Sequence, residues 1–303
     1  MADLLLHSVS YAGLWGQAFL PVDEFVSKAA DLGYNGVMLM AKRPHVSILD
    51  YDAARRADLR KRIEAAGLNR VCIAGYCNLT ADLEHSEVPH REIQIAYIVE
   101  LARLAHDLGG DLVRIYTGYD NPSASFMQQW NLIVDGLREC ARRTRPLGVT
   151  LGVQNHHDVA VGYESMFDLI EAVGEPNCRA MFDAWAPALQ GIDLGTAARR
   201  MAPLTVHTTV ADYQLRPRYK YNPAIVNYDP LTPYVQAVPM GEGFIDYGAF
   251  FGELRLGGFT GSVAYEMCSP LLGGGSIENL DRYARRFLDY MRGSAAVAAD
   301  PRA

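Results

Sequence analysis

The residues best equipped for chemistry stand at the ends of apolar stretches in the second half of the chain. Gln154-Asn155-His156-His157-Asp158 closes one stretch, Asp183-Ala184-Trp185 a second, His207 lies in a third and Glu266-Met267-Cys268 closes a fourth. A hard or borderline cation takes oxygen donors, and Mn²⁺ accepts an imidazole among them. Gln154, Asp183, His207 and Glu266 supply that set. Singly, each has a structural explanation: an ion pair for a carboxylate, a hydrogen-bonded core position for a histidine. Together, polar groups at equivalent ends of successive strands would each cost kilocalories to bury uncompensated, and a shared metal is the simplest compensation. Mn²⁺ heads the expected ions, with Mg²⁺, Co²⁺ or Zn²⁺ behind it.

Proton transfer needs groups that change charge near neutrality. Glu266, His156 and His157 are the candidates, the imidazoles with an ordinary pKa of ~6.5, and Asp158 stands where it could orient one of them. The opposing reading makes Asn155-His156 a structural polar pair and leaves His157 at the surface. A further set, His7, Trp15, Lys42, Arg43, His45, Tyr76, Asn78, Arg114, Tyr116 and Trp185, lies in or just beyond other apolar runs and is suited to holding a hydroxylated substrate. Lys42-Arg43-Pro44-His45 either binds an anionic or hydroxyl-rich group or pairs with acids of a neighbouring loop. Arg114 alternates with apolar residues, so it points into the site or pairs with a carboxylate there.

Eight apolar runs must position these groups: 4–10, 36–40, 70–75, 111–116, 149–154, 178–183, 204–209 and 261–267. Helical patterns alternate with them at 21–32, 50–66, 88–108, 124–147, 162–173, 192–202, 246–256 and 276–292. Gly33, Gly67, Gly109 and Gly148 stand just past helix ends, and Pro21 and Pro89 near helix starts. Strict alternation gives a parallel sheet. Eight units close into a (β/α)8 TIM barrel, an α/β fold whose site lies at the C-terminal ends of its strands. An open doubly wound sheet would carry a glycine-rich phosphate turn after its first strand, and none is present at Ser10–Gly16. One barrel domain is expected over 1–293, with 294–303 a disordered tail. Residues 210–245 break the rhythm as a long loop after strand seven, rich in tyrosine (Tyr213, Tyr219, Tyr221, Tyr228, Tyr234), which marks a lid or an interface.

A formal net charge of -7 opposes a nucleic-acid partner. The arginines at 55–62 and 138–145 read as solvated helix faces. Five widely spaced cysteines read as reduced thiols, and no apolar run is long enough for a membrane span, so a cytoplasmic location is expected.

The stretches LGVQNHHD, MFDAW, LTVHTTVAD, MGEGFIDY and VAYEM resemble the xylose-isomerase-like TIM-barrel superfamily of sugar isomerases and epimerases, over nearly the whole length. The Gly241-Glu242-Gly243-Phe244-Ile245-Asp246-Tyr247 segment is the most distinctive of them. The resemblance implies a Mn²⁺-type ion at Gln154, Asp183, His207 and Glu266, and a small carbohydrate or glycoside substrate. It also implies two carboxylate bases, of which Gln154 removes one. The leading expectation is proton abstraction beside a sugar carbonyl, giving isomerisation or epimerisation. The alternative is a lyase similar to the large subunit of C-glycoside deglycosidases, which cleave 3-oxo-glycosides and pair with a small β-rich subunit. Either a homo-oligomer or such a hetero-oligomer would follow. A metal-dependent endonuclease and a silent barrel are the remaining readings.

Overall fold

The computed structural model describes residues 2–85 and 87–299. Each of the eight apolar runs contains a strand of one closed parallel barrel: β1 (Leu4–His7), β2 (Gly36–Met40), β3 (Arg70–Ala74), β4 (Leu112–Ile115), β5 (Thr150–Gln154), β6 (Cys178–Met181), β7 (Thr205–Val210) and β10 (Ser262–Tyr265). Closure comes where β10 pairs with β1, Ala264 opposite Leu5. Leu5, Met38, Cys72, Ala74, Leu112, Met181 and Ala264 fill the barrel's interior as one buried cluster. Residues of opposite parity pack outward against the helices, so these strands read as continuous apolar text.

The surrounding helices are α1 (Val22–Leu32), α2 (Ala53–Ala65), α3 (His90–Asp107), α4 (Phe126–Thr144), α5 (Tyr163–Val173), α6 (Trp185–Leu189), α7 (Leu194–Met201), α8 (Tyr247–Leu256) and α9 (Ile277–Ala299). Their ends follow local chemistry. At α4 the Ser125 hydroxyl accepts from Gln128 N at 3.3 Å while Gln128 Oε1 accepts from Ser125 N at 2.8 Å, a reciprocal cap. α9 continues to Ala299, so the expected tail boundary at 294 falls inside a helix, and residues 300–303 lie outside the described residues. No helix among the described residues is long and apolar enough to cross a membrane.

The segment after β7 is not the structureless loop expected from its lack of helical pattern. It is an antiparallel hairpin, β8 (Asp212–Asn222) and β9 (Asn227–Val238), standing apart from the barrel sheet. Its prolines masked it, since proline within an apolar run argues against a strand. Here the register shifts between Arg216 and Arg218, so Pro217 is left out of the ladder, and both strands are edges. Tyr219, Tyr221, Tyr228 and Tyr234 are exposed along the hairpin.

The base of the hairpin is tied to the glycine-rich turn before α8. Asp212 Oδ2 accepts the backbone N–H groups of Gly241 and Gly243, both at 2.9 Å. A Cβ on Gly243 would come within 1.9 Å of Asp212 Oδ1, so this close approach requires glycine.

Candidate active site

Asp183, two residues beyond β6, is the centre of a buried hydrogen-bond cluster at the C-terminal end of the barrel. Its position is fixed by Asn155, which follows β5. Asn155 Oδ1 accepts Asp183 N at 2.7 Å, and Asn155 Nδ2 donates to Asp183 O at 3.0 Å. The carboxylate then accepts four hydrogen bonds. Thr209 N (2.7 Å) and Thr208 Oγ1 (3.1 Å) donate to Oδ1, and Gln154 Nε2 and Thr209 Oγ1 donate to Oδ2. Burial raises the Asp183 pKa, and these donors oppose the rise.

Glu266 follows β10 and is the second carboxylate of this end; its side chain is 15 % exposed. Burial raises its pKa above the ordinary glutamate value, the nearby charge of Arg114 pulls it down, and Asp183 pushes it up. Beneath it lies His7, the last residue of β1. His7 Nδ1 accepts Val9 N at 3.2 Å, which places the imidazole proton on Nε2, 3.8 Å from Glu266 Oε1. Burial, then Arg114, holds the His7 pKa well below its usual value, so the ring is neutral.

Arg114, in the middle of β4, is fully buried and makes no ion pair among the described residues. Its guanidinium lies over the rings of Tyr116 (4.3 Å to the centroid) and Tyr76 (4.8 Å), and Nη1 donates to Gln154 Oε1 at 3.1 Å. Nε and Nη2 have no hydrogen-bond partner among the described residues. Lys42 Nζ stands over the Tyr76 ring at 4.0 Å, its pKa lowered by burial and by Arg114. The result is a positively charged, aromatic-walled side to the site.

His156 and His157 meet through their Nδ1 atoms at 2.9 Å. His157 stacks on Tyr116 with ring centroids 4.2 Å apart. Burial, then His157 and Arg114, lowers the His156 pKa to about 4; burial also lowers that of His157 to about 4. Asp158 does not orient either ring: its Oδ2 accepts Asp120 N at 2.8 Å.

Two cavities open here. The larger, of about 580 Å³, is lined by Trp15, Lys42, Tyr76, Tyr116, Tyr119, His156, His157, Trp185, Glu266 and Cys268, among others. The narrower, of about 30 Å³, is lined by Gln154, Asp183, Thr209 and Tyr213 among others, and shares His156, Trp185, Glu266 and Cys268 with the first. Trp185 Nε1 is buried without a partner among the described residues, and its ring lies 5.2 Å from that of Tyr213 at the hairpin base.

Most of the expected site residues thus come together, with three exceptions. Arg43 is exposed and paired with Asp50, at 2.6 Å from Nη2 and 2.7 Å from Nε. His45 is buried between Ser8 Oγ (3.0 Å) and Leu20 O (3.2 Å) and lines a separate cleft with Phe19 and Tyr51. His207 lies one step deeper than Asp183: its Nδ1 is 2.6 Å from Ser262 Oγ, and burial, then Arg70 at the start of β3, lowers its pKa to about 3. The residue of β7 that reaches Gln154 and Asp183 is Thr209. Residues 207 and 209 share one face of a strand, so periodicity brings both inward without saying which layer each occupies. Tyr213, Tyr119 and Cys268 also line the site without having been expected among its substrate-holding residues. The cue for Tyr213 was its place beside Asp212, one residue from the glycine-turn anchor.

The expected metal does not fit this arrangement. Asp183 has about four lone-pair directions and receives four donors. The Gln154 oxygen is engaged by Arg114 and its amino group faces the carboxylate. His207 is elsewhere, and among the described residues no three His, Cys, Asp or Glu side chains form a ligand set.

Comparison with known proteins agrees with the barrel. The sequence profile of the xylose isomerase-like TIM barrel family matches residues 26–292. Comparison with curated proteins gives no match. Among solved structures, a D-psicose 3-epimerase superposes with a TM-score of 0.76 at 19% identity, covering 96% of this chain and 99% of that one. A 3-keto-D-glucoside 4-epimerase from E. coli gives 0.67 at 17%, covering 97% and 100%. A family protein from Mycobacterium smegmatis, described in complex with magnesium, gives 0.67 at 13%, covering 97% and 98%. With its closed eight-stranded barrel and a profile match over most of its length, this chain belongs to the xylose isomerase-like TIM barrel family.

Proposed function

We propose that the chain is a carbohydrate isomerase or epimerase that removes a proton beside a sugar carbonyl. Glu266 takes the carbon-bound proton, its basicity enhanced by burial. The neutral His156–His157 pair relays the hydroxyl proton to the carbonyl oxygen, giving an enediolate. Its reprotonation by Glu266 at the neighbouring carbon yields the isomer, and an epimer arises when Glu266 gives its proton up to solvent and the original carbon is reprotonated from the opposite face. Lys42, the cation on the cavity wall, holds the oxygen on which negative charge develops, and Trp185 Nε1–H offers a further donor. The observation that carries this reading is that Glu266 and His156 line the same two cavities from the ends of β10 and β5, with β7 and β6 between them.

The size of the larger cavity and its rings (Trp15, Tyr76, Tyr116, Tyr119, Trp185) support a second reading, in which the substrate is a 3-oxo-glycoside with an aromatic aglycone. Proton removal by Glu266 would then be followed by loss of the substituent from the next carbon. Incubation of free ketoses and 3-oxo-glucosides in deuterated water tests both. Deuterium incorporated into recovered sugar supports the first, and released aglycone the second. Glu266→Gln is expected to abolish exchange with the melting temperature unchanged. Full exchange in that variant would remove Glu266 from its role.

A further inference from the structure

We infer that this barrel carries the positive charge of its site covalently: Arg114, linked to Asp183 through the Gln154 amide, stands in place of a divalent ion, and Gln154 and Thr209 close the Asp183 centre to metal. The inference does not depend on which carbonyl compound the cavity takes. Three observations support it.

A metal at this centre would need lone pairs from Asp183, and all its lone-pair directions face donors. Two of those donors come from Thr209 and one is its backbone N–H, which cannot rotate away. Rotating the Gln154 amide to offer its oxygen would turn its N–H groups onto the Arg114 guanidinium, which has only donors. The amide is therefore held in the orientation that faces an anion and repels a cation.

The third observation is Arg114 itself. A guanidinium buried without an ion pair is costly unless its charge is used. Its surroundings are two aromatic faces and the electrostatic reach of Glu266. A divalent ion added at Asp183 would meet this fixed cation two hydrogen bonds away, across the Gln154 amide. At that range, in a site shielded from water, repulsion between the charges opposes binding.

The test reads metal content and needs no substrate, so its failure is distinct from failure of the proposed reaction. The purified full chain is incubated with excess MnCl2, desalted and assayed by elemental mass spectrometry. Thermal melts are run with and without Mn²⁺. The wild type is expected to retain well under one equivalent, with its melting temperature unmoved by the ion. The double variant Gln154→Glu/Thr209→His, which adds a carboxylate and an imidazole beside Asp183, is expected to retain about one equivalent and to melt higher with Mn²⁺ than without. Should the double variant not fold, Gln154→Glu alone is read by the same melts. One equivalent of Mn²⁺ on the wild type, lost in Asp183→Asn, would overturn the inference. So would a folded variant that remains without metal, since exclusion would then not reside in these two side chains.

Discussion

If Asp183 is an anchor between strand ends, its charge matters to the fold in a way that can be worked out from its partners. In Asp183→Asn the side-chain oxygen can still take Thr209 N and Thr208 Oγ1, and the new amino group can donate to the Thr209 hydroxyl. Gln154 Nε2 then keeps Thr209 Oγ1 as an acceptor at 3.0 Å, while its other N–H is left facing an amino group. One hydrogen bond to a charged acceptor disappears and one buried donor is orphaned, a combined cost of about 3 kcal/mol. With ~2.1 cal/mol/K per residue of unfolding entropy over 303 residues, this lowers the melting temperature by about 5 °C. Calorimetry in the presence of a chelator, so that no ion contributes, makes the measurement. Turning the Asn around is no escape, because Thr209 N would then lose its acceptor. A variant melting within about 1 °C of the wild type would refute the reasoning, because a dispensable carboxylate cannot be the acceptor that holds β5, β6 and β7 in register.

His207 is neutral in the folded state with a pKa of about 3, and in the unfolded chain it protonates near ~6.5. Below that value the unfolded state binds more protons, so stability falls as the pH drops from about 6.5 toward 3, by ~2 kcal/mol at pH 5, and is unaffected above. Urea titrations at pH 7 and pH 5 check this, and His207→Asn should lose part of the difference, the remainder including His7 with its lowered pKa of the same sign. Trp185→Phe removes a buried N–H that has no partner among the described residues and lines both cavities. It should lower kcat by about 3- to 10-fold with little change in KM, and an unchanged kcat would take Trp185 away from the developing charge. Replacing hairpin residues 215–235 with a short glycine turn should leave the barrel's melting temperature within about 2 °C of wild type, because the removed part of the hairpin is mostly exposed.

The barrel was legible because strands buried on both faces are continuous apolar runs, and because the glycines and caps that end its helices are local signals. Asp183, Glu266, Gln154 and the His156-His157 pair were legible for the same reason: each ends such a run. What escaped was information held between elements. Which of His207 and Thr209 reaches Asp183 depends on strand stagger around the barrel, and no single strand records it. Arg43 is neutralised by an aspartate seven residues on, through a loop conformation that composition does not specify. The hairpin was hidden by prolines that only unpaired edges tolerate.

That hairpin is also a lever. β8 is 11 residues long, a stiff arm of roughly 35 Å at strand rise. Its fulcrum is the Asp212 clasp on Gly241 and Gly243, and its short end is Tyr213, lying against Trp185 in the cavity wall. A small angular displacement at the clasp moves the exposed tip by ångströms and the Tyr213 ring by a fraction of one. A load placed on the far tyrosines is therefore geared down into a fine adjustment of the cavity wall.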